Sequence, residues 1–598
     1  MDVSFLNGLM KPVMTAQAFI HRLAESTSMS LDEAVELTFD WAKSEDITLH
    51  SVSRNAKTTS FISSGCGKRR TADADNGRLL RDPDEVRRHA VPVGQIGHFK
   101  TSPEFAGAVN HIRSVAYEPN KEVLAVARKA VADGTIFDKK TDSDALLTVQ
   151  EFNLCGESPY WLGGFPDNAG RIYTWSQGVA SYQGGDFSRS ICDYSGESDW
   201  FAADEEAIAF LELRVNSEYG VNYGNYNEII DAAGTLDLFK TPQKYGIRKK
   251  PWCSFRAALA LRECKQHGYT RYILQLDHTC SGFQFWSMQT GCNNLSILTN
   301  CQRSDEVQDF YTPVYEVARA NMPATHLAVS EYESHFFSRG TSKNLTVPIG
   351  YGASKTSSSR SLIFRKDKGK DVEYLDQAGS YIPGSLESIN DDQFHKLNLP
   401  IWKTIGMPRA VGMSLDLAEV YETGVYSISP RLRDGMRIIK ECVRNATEKD
   451  EVFTYTNATG FTYRCENLVP DYKSKARIKT PSCTINGKRV GGWTLLPLNK
   501  VYSEAAAPPR KIHCDDAGCV HYVANDLAGR DCPYSPIHDS HGVPVGFGRL
   551  VIKVVEKYMF EVVDVDSINK LATKHSVTST LRPLNTSKFD GSHLLGIS

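Results

Sequence analysis

The chain has 598 residues, 41% of them hydrophobic and 23% charged, with 68 basic against 71 acidic side chains and a formal net charge of −3. That length exceeds what one hydrophobic core serves, so several subdomains are expected, and the composition is that of an ordinary soluble globular protein. The charge balance argues for nucleic-acid-binding charge confined to a channel over a general basic coat, and no run of 18 or more apolar residues is present to cross a membrane.

The segment Met1 to Lys11 lacks the basic start and apolar centre of a signal peptide, and the acidic residues that follow do not suit an organelle transit peptide. Fourteen cysteines without regular spacing fit a reducing compartment, so a cytoplasmic location is expected. Ser30-Leu-Asp-Glu33 is a capping box opening a helix to about Lys43, with Leu31, Val35, Thr38 and Trp41 at helical spacing. Residues 51–84 are rich in Ser, Thr and Gly and carry Lys68-Arg-Arg70, which reads as a loose connection whose cations either touch phosphates or are simply solvated.

A helical pattern resumes at Ser102, an N-cap followed by Pro103, and continues with interruptions to about Asp133. A polar spacer including Asp138 to Asp144 leads to Asp167–Asp186, read as strand, turn and loop. Helices are expected over Asp204–Leu213 and Pro251–His267. Tyr272 to Leu276 then reads as a buried strand that stops at Asp277, before a Ser/Gly-rich turn and a second amphipathic run. Ser304–Tyr311 has the pattern of a capped helix. Arg339–Tyr351 is a further helix whose last turn Pro348 and Gly350 should kink. Trp402–Ala418 and Arg431–Asn445 read as helices and Val452–Tyr463 as a hairpin. Lys473–Lys479 and Cys483–Arg489 form a basic ribbon with an Asn486-Gly487 turn, either a DNA-groove element or a solubilised surface hairpin. Pro536–Gly542 is another short, turn-bounded strand carrying one acid, Asp539.

A carboxylate at a buried strand edge is costly unless a cation meets it. Asp277 and Asp539, brought together, offer the hard oxygen ligands that suit a pair of Mg²⁺ ions, the arrangement that stabilises attacking and leaving oxygens in phosphoryl transfer. On a helix Arg339, Lys343 and Tyr351 share roughly one face, so a cationic surface suited to a triphosphate is expected. His513-Cys514-Asp-Asp-Ala-Gly-Cys519-Val-His521 supplies zinc-type ligands, yet no second pair sits at finger spacing, so it is not read as a zinc site.

These segments resemble motifs of the bacteriophage-type single-subunit RNA polymerase family. Asp277-His-Thr-Cys-Ser-Gly282-Phe-Gln is similar to its first catalytic motif, with His278 where Gly is usual, and His538-Asp539-Ser540 to its second. Arg339-Gly-Thr-Ser-Lys343, with Tyr351-Gly352 eight residues on, resembles its fingers helix, and Asp167-Asn-Ala-Gly170-Arg171 with Gln183-Gly-Gly-Asp186 its template-contact motif. The resemblance, weaker outside the motifs, covers most of the chain. It implies an α+β right-hand polymerase with a small, mostly helical N-terminal region: 1–105 N-terminal, 106–160 a reduced thumb or connector, 161–305 and 513–598 the palm, and 306–512 the fingers with a specificity-type hairpin.

The resemblance further implies DNA-dependent RNA synthesis from NTPs, with two Mg²⁺ held by Asp277, Asp539 and the His278 carbonyl. Lys343 and Tyr351 would act in catalysis, and Arg339, His513, Gly282 and Tyr311 in substrate binding. Arg171, Arg189 and Gly352 would touch nucleic acid. A related family of DNA polymerases places Glu five residues after its first catalytic Asp; Gly282 here leaves room for a ribose 2′-hydroxyl, so RNA is the expected product. The short thumb and N-terminal region leave room for an accessory protein, for a primase-like enzyme making short RNAs, or for a partner-dependent subunit. A viral source, acting in the host cytoplasm, is the usual one for such chains.

Overall fold

The computed structural model describes residues 99–134, 139–174, 180–196, 199–302, 304–365, 372–376, 380–465, 504–589 and 593–595. Outside these it describes only fragments: 14–15, 33–34, 36–38, 48–54, 57–63, 91, 93–96, 467–470, 478–479, 482–485, 488–491, 494–495 and 498–501. The Ser30 cap, the Lys68-Arg-Arg70 run and the start of the basic ribbon at Lys473 lie outside the described residues. Of the expected first helix, positions 33–34 and 36–38 are helical. Of the ribbon, Ser482–Ile485 pairs antiparallel with Lys488–Gly491, Ile485 opposite Lys488.

The chain is a mixed helical and strand structure with small sheets set among helices. Helix α1 (Pro103–Ser114) starts where the sequence placed it: Ser102 Oγ accepts the Phe105 amide at 3.0 Å and donates to the Thr459 carbonyl at 2.6 Å. The expected interruption is a strand, Ala116–Pro119, after which Asn120 caps the helix Lys121–Ala132. The spacer at 138–144 is instead largely helical, part of Lys139–Cys155.

Helix α2 (Pro251–His267) is buried along most of its length and delivers the chain into strand β1 (Leu274–Asp277). The run after Asp277 is helix α3 (Ser281–Thr290). All ten of its residues are buried, so it is not the amphipathic element its sequence suggested. Its surroundings explain this: α3 packs against α6 and α7, introduced below, and its hydroxyls bond inside, as when Thr290 Oγ1 donates to the Trp286 carbonyl at 2.6 Å.

The helix expected over Ser304–Tyr311 is corrected: residues 304–310 are not helical, and the helix is Tyr311–Ala320. Ser304 Oγ turns to the Glu306 carbonyl, while Asp309 Oδ2 accepts both the Thr312 amide (3.1 Å) and hydroxyl (2.6 Å), so the start signal belongs to Asp309. Helix α4 (Arg339–Gly350) follows, with Pro348 inside it and Tyr351 just past its end. The helix expected over Trp402–Ala418 is split at Gly406, whose φ of +87° breaks it into Leu399–Ile405 and α5 (Met407–Ile428). Helix α6 (Pro430–Glu448) and helix α7 (Ala507–Ala528) complete the wall behind α3.

Strand β2 (Ser540–Val543) pairs antiparallel with β1, Leu274 opposite Val543 and Asp277 opposite Ser540. The C-terminal segment lies along the same end: the Thr279 amide donates to the Leu594 carbonyl at 3.0 Å, and Arg214 Nη2 to the Leu595 carbonyl at 2.8 Å. One apolar core of described residues runs through all these elements, from Phe99 to Leu595, with a smaller one around Ile363, Phe394 and Val411. No helix among the described residues is long and apolar enough to cross a membrane.

Candidate active site

Two strands from distant parts of the sequence create the site. The β1–β2 register puts Asp277 opposite Ser540, hence one residue from Asp539. The connection is tightened by the His278 amide, which donates to the Asp539 carbonyl at 3.1 Å. Asp539 stands at the tip of a tight turn closed by reciprocal amide–carbonyl bonds between Ile537 and Ser540 at 2.8 and 2.7 Å. His538 takes a φ of +52° to make that turn. Ser281, at the start of α3, donates its hydroxyl to Asp539 Oδ2 at 3.0 Å.

A third acid joins them. Asp516 on α7, in the stretch read for zinc-type ligands and for His513 but with no role given to its acids, is buried, and its Oδ2 accepts from Arg171 Nε (3.2 Å) and Nη2 (2.7 Å). Burial, and next the charge of Asp516, raise the Asp539 carboxyl above its ordinary range. Arg171 is delivered by a turn that the Asp167-Asn-Ala-Gly170-Arg171 motif builds. Asp167 Oδ1 accepts the amides of Ala169 (2.8 Å) and Arg171 (2.9 Å), and Gly170 takes φ +88°. Arg171 is thus in a buried ion pair, and phosphate contact is not its first engagement here.

Gly282 lies against Tyr351. A Cβ built at Gly282 would fall 2.3 Å from the Tyr351 hydroxyl, so only glycine lets that phenol sit over the start of α3. Gly350 is equally committed, its would-be Cβ 2.2 Å from the Phe283 ring. The two glycines let the end of α4 descend onto α3 although Pro348 stands in the last turn. His513, on α7, meets the Tyr351 ring edge-on with centroids 4.9 Å apart. Burial first, then the charge of Arg171, hold its imidazole neutral, with its pKa lowered to about 3.

Arg339 and Lys343 both face the ring of Tyr311, at 5.5 and 5.8 Å from its centroid, which shows them on one side of α4. Both cations are exposed, and Arg339 Nε is bonded to Asp309 at 3.1 Å. The Tyr311 hydroxyl meets Cys280 Sγ at 3.1 Å, tying this face to the turn after Asp277. Arg189 is held locally, its Nε donating to the Gly184 carbonyl at 2.8 Å, and Gly352, at φ +85°, faces Met436 and Lys440. The zinc-type cluster on α7 does not assemble: His513 turns to Tyr351, while His521 bonds Thr459 Oγ1 (3.1 Å) and the Gly170 carbonyl (2.9 Å).

Arg171→Met is expected to strand the Asp516 charge in the interior. A stability loss on the order of 3 kcal/mol follows from breaking one side of a buried pair, read by denaturant unfolding. Adding Asp516→Asn should restore most of it; a double variant no more stable than Arg171→Met would show that the pair is not what Arg171 supplies.

Residues 221–580 match the family model for DNA-dependent RNA polymerase. The match spans more than half of the chain, which is therefore a nucleotidyltransferase of transcription. It belongs to the single-subunit, phage-type DNA-dependent RNA polymerase family. Membership carries a DNA template, NTP substrates, an RNA product and the use of divalent metal. No curated protein matches the chain.

Proposed function

We propose that this chain synthesises RNA on DNA by a two-metal nucleotidyl transfer centred on Asp277 and Asp539. The observation that carries this reading is the β1–β2 pairing, which gathers the two acids at one ladder end beside Gly282 and Tyr351. The donor chemistry fits a pair of Mg²⁺ ions: carboxylate oxygens are hard ligands, and Arg171 is the cation bonded to the Asp516 carboxylate beside Asp539. Asp277, Asp539 and the His278 carbonyl would hold the ions, whose chemistry is to lower the pKa of the RNA 3′-hydroxyl and neutralise the triphosphate.

The protein's own groups do the rest. Ser281 fixes the Asp539 carboxylate by its hydrogen bond. Arg339 and Lys343, aligned over Tyr311, meet the β- and γ-phosphates and stabilise the charge of departing pyrophosphate; Arg339 exchanges Asp309 for phosphate to do so. Tyr351 lies under the sugar, where its hydroxyl, seated over the bare Cα of Gly282, and the neutral His513 can hydrogen-bond a 2′-hydroxyl. A site built to bond a hydroxyl rejects the analogue lacking it by about 10⁴-fold or more. In this reading 161–305 and 513–598 are the palm, 306–512 the fingers and 106–160 a reduced thumb, with Gly352 and Arg189 towards the template.

The test is incorporation of labelled NTPs, and separately dNTPs, on single-stranded and duplex DNA with Mg²⁺. RNA made from NTPs on either template supports the reading, and its length reports how well a short thumb holds the hybrid. No product on both templates, or equal use of dNTPs, overturns it.

A further inference from the structure

Behind the catalytic turn, the side chain of His278 points away from the role its backbone is given. Its Nε2 lies 3.2 Å from Nε2 of His541 on β2, and Cys519 Sγ of α7 joins them, the three ligand atoms all within 4.8 Å of one another and all three residues buried. We infer that His278, His541 and Cys519 form a structural zinc site that pins the β1 turn, β2 and α7 together beneath the acid pair.

The surrounding bonds orient these ligands. Gln284 spends its amide N–H groups on the Thr299 carbonyl (2.9 Å) and Thr279 Oγ1 (3.0 Å), so its Oε1 accepts from His278 Nδ1 at 2.8 Å. The proton of His278 is therefore on Nδ1, and Nε2 presents a lone pair to the cluster. His541 Nδ1 lies 2.6 Å from the Tyr534 hydroxyl, which fixes the ring and leaves its Nε2 inward. A ring nitrogen fixed by an outer partner while the other faces inward is the usual arrangement of metal-bound imidazole.

The spacing fits as well. Two imidazole nitrogens on one tetrahedral zinc lie about 3.3 Å apart, and a nitrogen and a thiolate about 3.6 Å. The first separation is already met, and the Cys519 sulfur has to move in by no more than about 1 Å. Two neutral imidazoles and one thiolate are borderline-soft donors that select zinc over Mg²⁺. Binding displaces the Cys519 thiol proton to solvent, and the resulting cationic centre is offset by Asp539 and Asp516, whose charges act on His278 and Cys519 respectively. Three protein ligands leave one position for water.

This inference does not rest on the assignment of Asp277 and Asp539, because its readout is metal content rather than synthesis. Untagged full-length protein, grown with added zinc and dialysed against chelator-treated buffer, is assayed by elemental analysis. About one zinc per chain is expected, with the site's cobalt form showing thiolate charge-transfer absorption. Cys519→Ala and His541→Gln should each lose the zinc, while Cys514→Ala, a buried thiol outside the cluster, keeps it. Wild-type protein holding less than about a tenth of an equivalent, or Cys519→Ala retaining it, overturns the site. The pair would then be a plain hydrogen bond from His541 to His278. The wild-type measurement decides even if a variant fails to fold.

Discussion

Asp539→Asn is expected to cut nucleotide incorporation by about 10³-fold or more, equivalent to about 4 kcal/mol of lost transition-state stabilisation. The substitution keeps shape and keeps an oxygen to accept the Ser281 hydroxyl, so the turn should hold its form. It removes the negative charge that the proposed two-metal site requires. That same charge is disfavoured by burial and by Asp516, so the variant should melt at or above the wild-type temperature in the absence of metal. Rate and melting together separate the two contributions. An inactive variant that also melts well below wild type would indicate that Asp539 serves the fold, and a variant within tenfold of the wild-type rate would remove it from catalysis.

Gly282→Ala should have the second largest effect. The new methyl would stand 2.3 Å from the Tyr351 hydroxyl and 3.0 Å from its Cζ, so the phenol has to be driven off the start of α3. A displacement near 1 Å costs about 10²-fold in rate when it falls on a substrate-positioning group. Discrimination between NTPs and dNTPs should fall with it, since the group proposed to bond the 2′-hydroxyl is the one that moves. Adding Tyr351→Phe removes the worst contact and should recover part of the rate but none of the discrimination. Full discrimination in Gly282→Ala would refute the role given to this contact, and a strictly additive double variant would show that the two residues do not communicate.

Much of this site was legible in the chain because local chemistry announced it. The Ser102 cap, the Asp167–Arg171 turn and the strand that halts at Asp277 each follow from residue types a few positions apart. What escaped was set by partners far along the sequence. Asp516 stood among zinc-type ligands with no role of its own, and only the Arg171 turn, 345 residues earlier, makes it a member of the site. Helix α3 carries Ser, Gln and Thr residues that suggest an exposed face, but it is sealed between α6 and α7, with the hydroxyls and amides of those residues bonded inside. The start of the Tyr311 helix was misplaced to Ser304 because Ser304 and Asp309 both offer a side-chain oxygen to a turn, and only the geometry chooses Asp309. The buried histidine pair was invisible for the same reason: nothing local links His278 to His541.

The joining of β1 to β2 also has a consequence in time. Ser281 and Asp539 are 258 residues apart, and the chain's last described residues, Leu594 and Leu595, bond the turn between them. During synthesis the N-terminal acid therefore emerges long before its counterpart, and such distant pairings close slowly because a large loop must be ordered first. A chain still on the ribosome can fold α2, but β1 has no strand to pair with until β2 emerges, so Asp277 and Asp539 cannot meet until the chain has been made past Val543.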